Sequence, residues 1–169
     1  MKKIRDLVRV NVTSLNAMTK ACLPAMVEKE KGAIINISSV MAKLPSPGLS
    51  AYGATKAYVT KFSMTLEQEY SEKGILIQTV QPGYVVTNMT GVQESFKAPL
   101  PTKFARSALS RLGIYSYTVG YWYHEYLAWL GNVLPEFLAL PLVYKEISDE
   151  RKRLHTKRHG RASELQTIK

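Results

Sequence analysis

Residues 32–83, GAIINISSVMAKLPSPGLSAYGATKAYVTKFSMTLEQEYSEKGILIQTVQPG, decide the fold. Gly32 breaks the chain, and Ala33-Ile34-Ile35-Asn36-Ile37 is a short apolar, β-branched run that reads as a buried strand. Leu44 to Ser50, with Pro45, Pro47 and Gly48, reads as a loop. From Ala51 to Lys73 the spacing predicts one long helix, with Ala54, Tyr58, Phe62, Leu66 and Tyr70 along one face. Gly74 stands where a left-handed residue would close that helix. Ile75 to Val80 is a second strand, closed by Pro82-Gly83. Both strands are apolar on each face, the pattern of central strands in a parallel sheet covered by helices.

Upstream, Ile4, Leu7, Val8, Leu15, Met18, Cys22 and Met26 recur at helical spacing between Ile4 and Glu30, and Pro24 is expected to end or kink that helix. Helix–strand–helix–strand order predicts a parallel α/β sheet, of which two strands are legible. Beyond Thr102 the chain reads as helices: Thr102 to Leu112, an aromatic-rich stretch from Tyr115 to Trp129, and Pro135 to Leu154. This gives an α/β part at 1–112, a helical, aromatic-rich extension at 113–154 and a basic polar tail at 155–169. No internal repeat or low-complexity segment interrupts it.

The 169 residues include 46% hydrophobic and 21% charged side chains, which excludes a disordered, collagen-like or coiled-coil chain. One cysteine, Cys22, excludes a disulfide framework and suits a reducing compartment. Met1-Lys2-Lys3 leads into a mixed polar segment, so no signal peptide is expected. No apolar stretch is long enough for a spanning helix. The net charge of +10 is densest at the ends, with seven basic and three acidic residues in 1–31 and eight and four in 145–169. The run Arg151-Lys152-Arg153, with Lys157, Arg158 and Arg161, suits anionic lipid or a solvated face; nucleic acid is not expected as a partner.

Chemistry concentrates where the first strand ends. Ligands bind at the carboxyl ends of strands in open α/β sheets, and there stand Ser38 and Ser39. Tyr52 follows thirteen residues after Ser39, and Lys56 lies four residues further, one helical turn along the same face. A nearby ammonium favours the phenolate of a tyrosine, which can then exchange a proton with a carbonyl or hydroxyl oxygen. A serine hydroxyl can hold that same oxygen. Tyr-x-x-x-Lys alone is a weak signal; combined with Ser-Ser at a strand end and Pro82-Gly83 after the next strand, it is a strong one.

Val10-Asn11-Val12, Ile35-Asn36-Ile37-Ser38-Ser39, Tyr52-Gly53-Ala54-Thr55-Lys56 and Gln81-Pro82-Gly83-Tyr84-Val85-Val86-Thr87 together resemble the C-terminal half of the short-chain dehydrogenase/reductases, over at least residues 1–90. The resemblance implies the C-terminal part of a Rossmann-like doubly wound parallel sheet with a helical extension. It makes Tyr52 the acid/base and Lys56 the group that tunes it and holds the nicotinamide ribose. Ser39 would orient the substrate carbonyl, and Asn11 would support a proton-relay water. Pro82, Gly83, Val85 and Thr87, with Tyr52 and Lys56, would lie against the cofactor: NADP, with NAD left open. No metal is implied, and His124, His155 and His159 lack metal-ligand spacing.

Leu112-Gly113 and Thr118-Val119-Gly120-Tyr121-Trp122-Tyr123-His124 look like the branch holding very-long-chain 3-oxoacyl-CoA reductases, 17β-hydroxysteroid dehydrogenases and hydroxysteroid dehydrogenase-like proteins. That branch implies reduction of a lipid or steroid carbonyl at the cytoplasmic face of the endoplasmic reticulum membrane. It also implies a homodimer through helices 4–30 and 51–73. The family's Thr-Gly-x-x-x-Gly-x-Gly turn has no counterpart among the ten glycines, so a truncated form is expected. The alternative is a non-catalytic fragment that acts as an interaction partner. Residues 117–144 are mostly apolar, but Glu125 and Glu136 make them an interfacial segment rather than a spanning one. Asn11-Val12-Thr13, Asn36-Ile37-Ser38 and Asn88-Met89-Thr90 match the glycosylation triplet; the first two fall on a core-facing helix and a buried strand and are not expected to carry sugar.

Overall fold

The computed structural model describes residues 1–43, 48–135, 137, 138, 141, 144, 145, 148 and 149. Two units divide the chain, Met1–Leu130 and Gly131–Lys169, and every strand described lies in the first. In it, α1 (Lys2–Val8), a π-helical turn (Arg9–Thr13) and α2 (Ser14–Glu28) form an uninterrupted helical backbone. Pro24 sits inside α2, which runs on to Glu28, so of the two outcomes expected from sequence, an end or a kink, the helix does not end there. Proline removes the donor for the Lys20 carbonyl, but Lys20 and Pro24 both lie on the exposed face, where water can satisfy that oxygen.

β1 (Gly32–Ile37) pairs in parallel with β2 (Ile75–Val80), from Gly32 opposite Ile75 to Ile37 opposite Val80. The long helix expected between them is α3 (Ser50–Tyr70), extended by a 3-10 turn at Ser71–Lys73. Gly74 ends it at φ +70°, as its position predicted. A Cβ there would lie 2.1 Å from the Glu30 carbonyl oxygen, so only glycine fits where the two chain reversals meet. The core is Leu23 of α2, Leu66 of α3 and Ile75 and Ile77 of β2, with Met26, Val27, Ile34, Phe62 and Tyr70 packed against it.

The buried side of α3 is Gly53, Thr55, Val59, Ser63 and Leu66, turned by about one residue from the expected face, and Ala54 and Tyr58 are exposed. Small and hydroxyl residues win because they let the helix approach the sheet while their polar atoms are satisfied. Ser63 Oγ donates to the Val59 carbonyl at 2.7 Å and accepts from Asn36 Nδ2 at 2.8 Å.

The helix expected over Tyr115–Trp129 divides in two. Tyr117–Thr118 is β3, parallel to β2, and gives the sheet order β1-β2-β3. The Thr79 and Gln81 amides donate to the Ser116 and Thr118 carbonyls, each at 2.8 Å, so pairing with β2 overrides the local pattern. Gly120, at φ +82°, then turns the chain into α5 (Trp122–Val133). Of the helix expected at Thr102–Leu112, Pro101–Leu109 forms as α4. β2, with a neighbour on each side, is buried except at Leu76, whereas β1 is half-exposed. The basic run at 151–161, the tail 155–169 and positions 44–47 of the expected loop lie outside the described residues.

Candidate active site

β1 delivers Ser38 and Ser39 at its carboxyl end, and the first two turns of α3 deliver Tyr52 and Lys56. Ser38 continues the strand pairing, donating its amide to the Val80 carbonyl at 2.7 Å. Its buried hydroxyl donates to the Lys56 carbonyl at 2.7 Å, which ties the strand end to α3. Ser39, also buried, caps the 3-10 turn Val40–Ala42, and its Oγ accepts from the Met41 amide at 3.2 Å. Lys56 reaches back across this junction. Its Nζ lies 5.8 Å from the centroid of the Tyr52 ring and donates to the Ile37 carbonyl at 2.9 Å. Burial lowers the Lys56 pKa below the ordinary lysine value.

Asn11 sits in the π-helical turn, a kind of distortion often found at functional sites. Its Nδ2 donates to Thr55 Oγ1 at 2.9 Å, and that hydroxyl donates to the Tyr52 carbonyl at 2.8 Å. Asn11 and Lys56 line a groove of about 310 Å³ with Val10, Met18, Ile37 and Val59; Ser39 and Tyr52 do not line it. Pro82-Gly83 follows the neighbouring strand, and the Pro82 carbonyl accepts from the Val40 amide at 3.2 Å. Val85 and Thr87 belong to a separate local turn. Thr90 Oγ1 donates to the Val85 carbonyl at 2.6 Å, and the Thr87 amide donates to Thr90 Oγ1 at 3.2 Å. Asn36 is buried, in keeping with its exclusion as a sugar acceptor.

Beneath the site runs a polar chain that the sequence reading missed. Ser38 Oγ lies 2.7 Å from Thr60 Oγ1, Gln81 Nε2 donates to that same Thr60 hydroxyl at 2.7 Å, and Tyr117 OH donates to Gln81 Oε1 at 2.6 Å. It crosses from β1 through α3 to β2 and β3. Gln81, polar and directly before Pro82-Gly83 at the end of an apolar strand, was the available signal.

A family model described as short chain dehydrogenase matches residues 1–98. The very-long-chain 3-oxoacyl-CoA reductase of Anas platyrhynchos is 39% identical over 145 residues, 85% of this chain and 46% of that protein. The inactive hydroxysteroid dehydrogenase-like protein 1 of Homo sapiens is 40% identical over 141 residues, 80% of this chain and 43% of that protein. The chain thus spans less than half the length of these curated relatives. Among solved structures, a short-chain dehydrogenase from Sphingobium yanoikuyae in complex with NADPH superposes with a TM-score of 0.60 at 33% identity, over 66% of this chain and 45% of that one. A ketone-specific alcohol dehydrogenase from Comamonas testosteroni gives 0.58 at 32%, over 66% and 43%.

Proposed function

Since this chain belongs to the short chain dehydrogenase family, we propose that it carries the acid/base half of a nicotinamide-dependent carbonyl reductase acting on a 3-oxoacyl-CoA or ketosteroid. The observation that carries this reading is Lys56, held beside the Tyr52 ring and bonded to the Ile37 carbonyl where the Ser-Ser strand ends. The residues present fit the nicotinamide-ribose end of such a cofactor. They offer no Gly-rich turn for its pyrophosphate. NADP(H) is the form proposed, by likeness to the NADPH-complexed relative. Bound there, the cofactor supplies the hydride.

Tyr52 donates its phenolic proton to the carbonyl oxygen. Lys56 has three N–H donors; Ile37 takes one, and the other two are proposed for the ribose. Ser39 uses a lone pair on Met41 and not its proton, which it donates to the same substrate oxygen. Asn11 holds the π turn on α3 and supports a relay water through its side-chain carbonyl. Pro82, Gly83, Val85 and Thr87 form the wall against the nicotinamide. With the dinucleotide-binding half of a relative joined upstream, Tyr52→Phe is expected to lower turnover by about 10²–10⁴ while leaving cofactor affinity nearly unchanged. Unchanged turnover would remove Tyr52 from its role.

A second reading, a non-catalytic dehydrogenase-like interaction partner, is favoured by two observations. One relative is named as inactive. The helices proposed for a homodimer also leave Val10, Met18, Tyr58 and Met64 exposed. The division at 112 and 154 belongs to the same proposal, as does attachment to the cytoplasmic face of the endoplasmic reticulum membrane. Among the described residues no helix is long and apolar enough to cross a membrane. α5 exposes Trp122, Tyr126 and Trp129 at i, i+4 and i+7, a stripe that supports an interfacial attachment.

A further inference from the structure

We propose that His124 is a positioning residue, a neutral two-sided latch that fixes the Pro82–Thr87 segment against the segment at 97–99. The imidazole is 3% exposed, at the start of α5. Its Nδ1 accepts from the Gly83 amide at 3.3 Å. An accepting Nδ1 carries no proton, so Nε2 carries it and donates to the Lys97 carbonyl, 3.0 Å away. One ring therefore joins three stretches of chain that share no local sequence.

The surroundings suit that single state. Tyr121 packs edge-on at 5.4 Å, Phe104 of α4 lies at 6.1 Å and Tyr123 at 6.5 Å. A Cβ at Gly83 would stand 2.9 Å from His124 Cδ2 and 3.0 Å from Nε2, so glycine is needed for the ring to approach this backbone so closely. The Val86 amide donates to the Pro99 carbonyl at 3.0 Å, a second stitch between the same two segments. Pro99 and Ala98 are buried, which anchors the far side of the latch. The importance of the latch for catalysis rests on the reductase reading, which puts Gly83 against the nicotinamide; the latch itself does not.

The test compares amide exchange and imidazole ¹⁵N spectra of the full 169-residue chain and its variants at neutral pH. The parent is expected to show the Nε2–H tautomer. Asparagine places its amide where Nδ1 was, and glutamine places it where Nε2 was. His124→Asn should therefore keep the Gly83 amide protected, while His124→Gln and His124→Phe should speed its exchange by about tenfold or more with Ile77 in β2 unchanged. If His124→Phe does not fold, the Asn–Gln contrast still decides. An Nδ1–H tautomer, an imidazolium, or equal Gly83 exchange in the two amide variants would overturn the proposal. None of these readings needs cofactor or substrate, so a failed reductase assay would leave them standing.

Discussion

At the scale of single residues, the informative groups are those whose protonation or shape the fold has already chosen. Burial lowers the His124 pKa from its ordinary 6.5, while the Lys97 and Tyr84 backbone groups, which favour the protonated ring, oppose that shift. The unfolded chain then binds more protons than the folded one between the lowered value and 6.5, so stability rises with pH through that window. His124 contributes fully above 6.5, and its contribution is lost as pH falls towards the folded value. Melting curves from pH 7.5 down to 5 are thus expected to show a Tm decline that His124→Asn flattens. A decline of equal slope in the variant would assign it to other groups. Tyr52 and Lys56 are legible at this scale because a spacing of four fixes both on one helical face whatever packs around them. Gln81 and Thr60 are not, because their partners come from other elements.

Among the elements, α5 presents the clearest surface. Trp122, Tyr126 and Trp129 are each more than half exposed, and Tyr126 stacks on Trp129 at 6.2 Å, giving a helix with an exposed aromatic stripe. Amphipathic rings of this kind prefer the boundary between headgroups and water. Binding to liposomes is expected to rise with the fraction of anionic lipid, because the basic residues near the chain end add attraction, and to fall as salt screens them. Replacing Trp122 and Trp129 together by Ser should reduce recovery in the floated fraction severalfold at fixed lipid and salt. Release by detergent alone, independent of salt, would argue for insertion. The helical pattern was readable in this stretch, but the two-residue β3 before it was not. Two residues define no period, and only the open edge of β2 makes them a strand.

In the whole molecule, the sheet has two edges among the described residues, the six-residue β1 and the two-residue β3. β2 uses the residues of one register for β1 and those between for β3, while β1 has a strand neighbour on a single side among the described residues. The Ser38 amide faces β2, so alternation turns the groups of Ala33, Ile35 and Ile37 outward. Lys56 covers the Ile37 carbonyl, and the Ile37 side chain remains 51% exposed. An apolar edge of this kind favours association with another chain. Light scattering on the purified chain is expected to give a mass above one copy. Millimolar NADP(H) or NAD(H) should not raise its Tm, since no Gly-rich turn anchors the phosphates. A monodisperse monomer whose Tm rises by several degrees with cofactor would contradict both expectations.

Legible in the residues alone are local and periodic features: two apolar strands, the long helix between them, the left-handed close at Gly74, and the order of serine, tyrosine and lysine along them. Short-range sterics and helical geometry settle these without reference to the rest of the chain. Long-range packing sets which side of α3 meets the sheet, keeps Pro24 helical, winds Arg9–Thr13 into a π turn carrying Asn11, and closes His124 on Gly83 and Lys97. Each of those outcomes balances a local preference against a buried polar atom or a close approach, and the partner that tips the balance is remote in the chain.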